Sequence, residues 1–106
     1  AARLDVVLRE IAIGYANPAF SIGMVAAKFG LSPRYIQDLL QSTGSGFSER
    51  VRELRLQHSM SRLARPGGGG RKVSDIAFAS GFSDLSHFYR CFRRRFGMTP
   101  SRGRMV

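Results

Sequence analysis

Few residues in this chain of 106 could do covalent or metal chemistry, and their number and spacing exclude most of it. Cys91 is the single cysteine and cannot close an internal disulfide. With His58 and His87 it supplies fewer ligands than a structural zinc site requires. There are no paired carboxylates, no Ser/His/Asp set and no phosphate-cradling loop, so no catalytic residue, cofactor or metal is assigned. Cys91 reads as a packing residue, as do Met24, Met60 and Met98. What remains is hydrogen-bonding chemistry in two short segments. Arg34 and Gln37 each have a planar end group that can form two hydrogen bonds to one flat partner, Arg with guanine O6/N7 and Gln with adenine N6/N7. Asp38 beside them can accept from a cytosine amino group. Leu85, Ser86, His87, Tyr89 and Arg90 form the second segment.

Charge points to the same partner. Seventeen basic and seven acidic residues give +10 and a pI near 11.4, favouring a polyanion: nucleic acid first, an anionic membrane surface second. No apolar run approaches the roughly 18 residues needed to span a bilayer, and the N-terminus lacks the apolar stretch of a secretory signal. An intracellular, metal-free chain with no membrane role is expected. The charge is lopsided, +3 over residues 1–64 and +7 over 65–106.

The elements that must position these side chains follow from apolar spacing and breakers. Leu4, Val7, Leu8, Ile11 and Tyr15 form one face of a helix that Asn17-Pro18 stops. Ser21 caps a shorter helix with Ile22, Val25, Ala26 and Phe29 inward, ended by Gly30. Ser32-Pro33 starts the next, with Tyr35, Ile36, Leu39 and Leu40 inward. A long helix from about Phe47 to Ala64 buries Phe47, Val51, Leu54, Met60 and Leu63. Gly67 to Gly70 reads as a mobile linker. Val73, Ile76, Ala77 and Ser80 then lead to Gly81, and Ser83 begins a helix with Phe88 and Phe92 inward, ending near Phe96-Gly97. The division expected is residues 1–46 as a first unit, 47–64 as a connecting helix, 65–72 as a glycine-rich loop and 73–106 as a second unit.

The two units repeat. A shift of 51 residues lays Ile22 on Val73, Val25 on Ile76, Ala26 on Ala77, Gly30 on Gly81, Leu31 on Phe82 and Ser32 on Ser83. After one added residue, Ile36 falls on Phe88 and Leu40 on Phe92. Alanine lets two helices cross closely, glycine permits the corner, the next apolar residue plugs it, and serine caps the second helix. That is the recipe of a helix-turn-helix, whose second helix enters the major groove. The fold class expected is all-α, two helix-turn-helix units of about seven helices joined by a long helix. The alternative function weighed is non-specific architectural DNA binding, against which the polar variety of the two reading segments speaks.

Ser74 to Asp84, Ser86-His87-Phe88, Phe92 to Pro100, Leu31 to Gln37 and Arg52 to Leu56 together resemble the DNA-binding domain of AraC/XylS-family bacterial transcription regulators. The resemblance implies sequence-specific binding to double-stranded DNA at asymmetric promoter sites, usually to activate, with RNA polymerase as partner in a bacterial cytoplasm, nucleoid-associated. It places base readout at Arg34, Gln37, Asp38, Leu85, Ser86, His87, Tyr89 and Arg90. Phosphate contacts are expected from Arg93, Arg94, Ser32 and Ser83. A ligand-sensing or dimerisation domain has no room in 106 residues, so the chain is expected to be part of a longer regulator. Four features depart from the family pattern. Lys72 stands where a capping hydroxyl is usual, the glycine run softens the loop, Asp38 replaces a common basic residue, and Arg102-Gly103-Arg104 lacks the aromatic that supports a last short helix. Arg52 and Arg55 are expected to pair with Glu49 or a nearby aspartate.

Overall fold

The computed structural model describes residues 2–65 and 71–104, so the glycine run 67–70 expected to form a linker lies outside the described residues. Among them are seven helices and no strand: α1 (Ala2–Gly14), α2 (Ile22–Phe29), α3 (Pro33–Gln41), α4 (Phe47–Leu63), α5 (Val73–Ala79), α6 (Leu85–Phe96) and α7 (Pro100–Gly103). No helix there is long and apolar enough to cross a membrane.

Helix ends follow local chemistry. Ser21 Oγ accepts from the Met24 N–H at 3.3 Å, and Ser32 Oγ from the Tyr35 N–H at 3.0 Å with Pro33 opening the helix. Gly30 closes α2 at φ 63°, a conformation that strains any residue with a Cβ. Lys72 gives α5 no side-chain cap. Two ends differ from expectation. The cap of α6 is Asp84, whose Oδ1 accepts from the His87 N–H at 3.3 Å, so Ser83 precedes the cap. The residue added in the second repeat therefore sits before the cap, which puts Ser32 on Asp84 in the same register as Ile36 on Phe88. The last short helix also forms. Thr99 Oγ1 caps it, Pro100 opens it, and Gly103 packs where an added Cβ would lie 3.1 Å from the Phe92 ring and 3.3 Å from the Met60 sulfur.

Two apolar clusters carry the fold. Val7, Ile11, Val25, Ala26, Ile36, Leu40, Phe47 and Val51 make the first. The second is Leu56, Leu63, Ile76, Ala77, Phe82, Phe88 and Phe92. It is rich in aromatic contacts, with Phe82–Phe88 and Phe88–Phe92 centroids 4.9 and 5.6 Å apart. Helix α4 belongs to both. Phe47, Val51 and half-buried Leu54 lie on one stripe, and Leu56, Met60 and Leu63 on another. The stripes are nine residues apart, and at about 100° per residue nine steps place them on opposite sides of the helix. That is why α4 shows no single amphipathic face, and Leu56 joins the expected Met60 and Leu63 on the second stripe. Tyr35, expected inward, is 37% exposed, with its ring 5.6 Å from the Arg3 guanidinium carbon. Cys91 is half-buried at the edge of the second cluster.

Side chains of α4 also tie to the end of α1. Arg55, expected to pair with an acid, instead donates from Nε to the Tyr15 carbonyl at 2.7 Å and from Nη2 to the Asn17 carbonyl at 3.0 Å. One turn along, His58 Nδ1 lies 2.9 Å from the Tyr15 hydroxyl. Burial, then the charge of Arg62, holds the His58 pKa below its ordinary 6.5. With its proton on Nε2, neutral His58 accepts the hydrogen bond of the Tyr15 hydroxyl at Nδ1, whereas an imidazolium has no acceptor to offer. The unfolded chain thus takes up the proton that charges His58 more readily than the folded one. The contribution of His58 is whole above pH 6.5 and is lost as pH falls below that value toward the depressed folded pKa. Thermal unfolding between pH 7 and 5 is expected to show a larger drop in Tm for the wild type than for His58→Gln. Equal drops contradict this account.

Candidate nucleic-acid interface

The two helices that follow the alanine–glycine corners, α3 and α6, each bury one stripe and leave the opposite side open. On α3 the buried stripe is Ile36 and Leu40. Arg34 and Asp38 are exposed, a turn apart, on the far side. Gln41 continues that row, and its exposure makes it a candidate the sequence reading did not name. The signal was there in the 34, 38, 41 spacing. Among the described residues Arg34 and Asp38 form no ion pair with each other.

Gln37 is placed differently. Its Oε1 accepts from the Phe47 N–H at 2.8 Å, so it serves as the N-terminal cap of α4. The residue in the cap position, Gly46, has no side chain to do so, and a Cβ there would lie 2.8 Å from Gln37 Oε1 and 2.9 Å from Gln41 Nε2. The half-buried Gln37 keeps only its amide NH₂ for an outside partner.

On α6, Phe88 and Phe92 are fully buried, while Ser86, His87, Tyr89, Arg90, Arg93 and Arg94 are exposed. Leu85 is half-buried against the second cluster and offers only part of its side chain. The three consecutive arginines separate by role. Arg95 Nε donates to both carboxylate oxygens of Glu53 on α4, at 2.9 and 3.2 Å, and Gln57 donates to the same group at 2.8 Å. The hydrogen bond from Arg95 is the main reason the Glu53 pKa lies below its ordinary value. Arg93 and Arg94 remain free of acids among the described residues. His87 also touches Cys91, with Nε2 3.5 Å from Sγ.

One wall of a cleft of about 770 Å³ is built from α6, through His87, Arg90 and Arg94. Glu49, Arg50, Arg52 and Glu53 of α4 and Leu8 of α1 line it from the other side, so its walls carry both signs of charge. Base and phosphate candidates of α6 thus meet there, whereas Arg34, Gln37 and Asp38 are not part of it. Arg52 was not foreseen as a lining residue. The start of α3 carries a neutral cap, Ser32, and the start of α6 carries the Asp84 carboxylate. The latter supplies its own negative charge to the positive helix end and repels a phosphate approaching the exposed Ser83. Among the described residues no three His, Cys, Asp or Glu side chains gather to hold a metal.

A helix-turn-helix domain family profile matches residues 25–105. The chain is 42% identical over 86 residues to the transcriptional activator RhrA of Rhizobium meliloti, covering 81% of this chain and 27% of that protein. It spans about a quarter of the length of the curated relatives it matches. Among solved structures it is similar to a transcriptional regulator of Chromobacterium violaceum described as an AraC-type DNA-binding domain-containing protein. That likeness has TM-score 0.77 and 28% identity, over 99% of this chain and 95% of that one. The C-terminal domain of the two-component response regulator yesN of Fusobacterium nucleatum shares the fold at TM-score 0.87 and 21% identity, over 98% and 99% of the two chains.

The contrast between Gln37 and Asp38 is directly measurable. Gln37→Ala removes the side chain that accepts from the Phe47 N–H and should lower unfolding stability by about 1 kcal/mol, in the range of lost helix caps. Asp38→Ala, with its side chain in solvent, should change it by less than about 0.5 kcal/mol. Urea unfolding of both variants checks the pair, and equal effects would contradict the assignment of Gln37 as a cap.

Proposed function

The chain belongs to the AraC/XylS-type helix-turn-helix family of DNA-binding transcription regulators, and from that premise we propose that it reads a specific double-stranded DNA sequence with α3 and α6 in successive major grooves. One observation carries this reading: two exposed, chemically varied helix faces, each behind the same alanine–glycine corner, are mounted on one continuous helix of 17 residues. At 1.5 Å per residue α4 is about 25 Å long. With the width of the units at its ends it suits the roughly 34 Å between neighbouring major-groove segments.

In this reading Arg34, Asp38 and Gln41 read bases from α3, with the Gln37 amide NH₂ as an added donor. Ser86, His87, Tyr89 and Arg90 read from α6, and the exposed part of Leu85 meets a thymine methyl. Arg93, Arg94 and Ser32 hold phosphates and set register without carrying sequence information. Ser83 is left out of this set because of the carboxylate beside it. The variety of types on both faces favours base readout over uniform coating, which needs mainly Lys and Arg. RhrA is named an activator, and we extend that role, with RNA polymerase as protein partner, to this chain.

Selection from a random DNA pool is expected to return two unlike half-sites about 10 base pairs apart, bound at least about 10³-fold tighter than bulk DNA. A specific-to-bulk ratio near one contradicts the reading. Arg34→Ala should relax preference at one or two base pairs at a cost of about 1–3 kcal/mol. Arg93→Ala should instead weaken all sequences alike and reduce the salt slope by about 1, and an unchanged slope would remove it from the phosphate set.

A further inference from the structure

One contact between the two halves of the molecule is not required by DNA reading itself. Gly81 forms the corner of the second helix-turn-helix at φ 107°. A Cβ built on it would lie 2.5 Å from the Tyr15 carbonyl oxygen, 2.6 Å from Arg55 Nε and 3.1 Å from Ala16 Cα. The corner of the second unit therefore rests directly on the end of α1 in the first, with space for backbone alone. The Arg55 guanidinium is wedged into the same junction, bonded to the Tyr15 and Asn17 carbonyls. Its place on α4 is between Leu54, which packs on the first cluster, and Leu56, which packs in the second. Arg55 ties α4 to the end of α1, and any rotation of α5–α6 about α4 would pull Gly81 off both the Tyr15 carbonyl and the Arg55 guanidinium. Burial lowers the pKa of Arg55, consistent with a guanidinium partly withdrawn from solvent for this contact.

We propose that Arg55 and Gly81 form a spacing clamp: positioning residues that fix the angle of α6 relative to α3 and so restrict the DNA to one separation of half-sites. The proposal rests on the two-helix reading above. One inserted base pair moves the second half-site by about 3.4 Å along the duplex and about 35° around it, from the 34–36 Å and 10–10.5 base pairs of a turn. A clamped pair of helices cannot follow that rotation. A pair joined only through α4 and the chain can follow part of it. Among the described residues Arg55 hydrogen-bonds to Tyr15 and Asn17 and to none assigned to base or phosphate contact, so its effect should fall on spacing and leave base preference within each half-site alone.

The test compares affinity for the selected site with affinity for the same half-sites separated by one base pair more or less, in the wild type, Arg55→Ala and Arg55→Lys. The wild type is expected to lose at least about tenfold on either change. Arg55→Ala is expected to lose less than about threefold while keeping its base preferences. Arg55→Lys keeps a cation that can serve one carbonyl at a time, and it should fall between them. Circular dichroism confirms that each variant is folded, and if Arg55→Ala is not, the milder Arg55→Lys carries the comparison. A folded variant that discriminates spacing as sharply as the wild type overturns the clamp and leaves the two-helix reading standing. A wild type indifferent to spacing overturns both.

Discussion

Nine residues along an α-helix are two and a half turns, and α4 uses that step to face two ways. Phe47, Val51 and Leu54 close the first apolar cluster, while Leu56, Met60 and Leu63 on the other side close the second. Everything else is arranged around this constraint. Each cluster is too small to stand far from the helix that completes it, since burying one large apolar side chain contributes only about 1.5–3 kcal/mol. Sharing α4 lets both halves draw on one element, and it fixes the side from which each projects its exposed helix.

Polar contacts then remove the freedom the shared helix leaves. At one end Gln37 of α3 caps α4, joining a proposed reading helix to its support by a single hydrogen bond to the Phe47 N–H. Nearer the middle, Glu53 holds Arg95 of α6. That pair is exposed, and its contribution to stability is correspondingly small. Two residues further on, Arg55 binds the carbonyls that end α1. The two faces are unequal in charge. Three exposed arginines on α6, Arg90, Arg93 and Arg94, stand without acids among the described residues, whereas Arg34 on α3 shares its face with Asp38. On the proposed reading α6 supplies more of the electrostatic affinity, and α3 depends more on matching the right bases.

The sequence made the repeat legible because its physical causes are local. Alanine at the crossing, glycine at the corner and a small polar cap each act within a few residues, so Ala26 and Ala77 or Gly30 and Gly81 are found by sliding the chain along itself. Most of the buried stripes were readable by the same local logic. What could not be read acts at a distance or breaks a period. Gln37 as a cap reaches ten residues ahead, and Arg55 reaches about forty back to carbonyls that any residue type would provide. In α4 the apolar residues serve two faces and keep no single 3.6-residue rhythm, so Met60 and Leu63 were named while Leu56, two residues after Leu54 of the other stripe, was not. The Ser83 cap was a one-residue register error that the Phe88 and Phe92 offset already contained. Gly81 was seen as a corner, but its contact with Tyr15 requires the tertiary fold.

Both exposed helices are carried as one rigid body by α4 and its junction with α1. Residual dipolar couplings of backbone amides test this most directly. One alignment tensor is expected to fit residues 2–63 and 73–103 together, both free and bound to the selected DNA. Separate tensors for the two halves, with smaller order for one of them in the free protein, would contradict it.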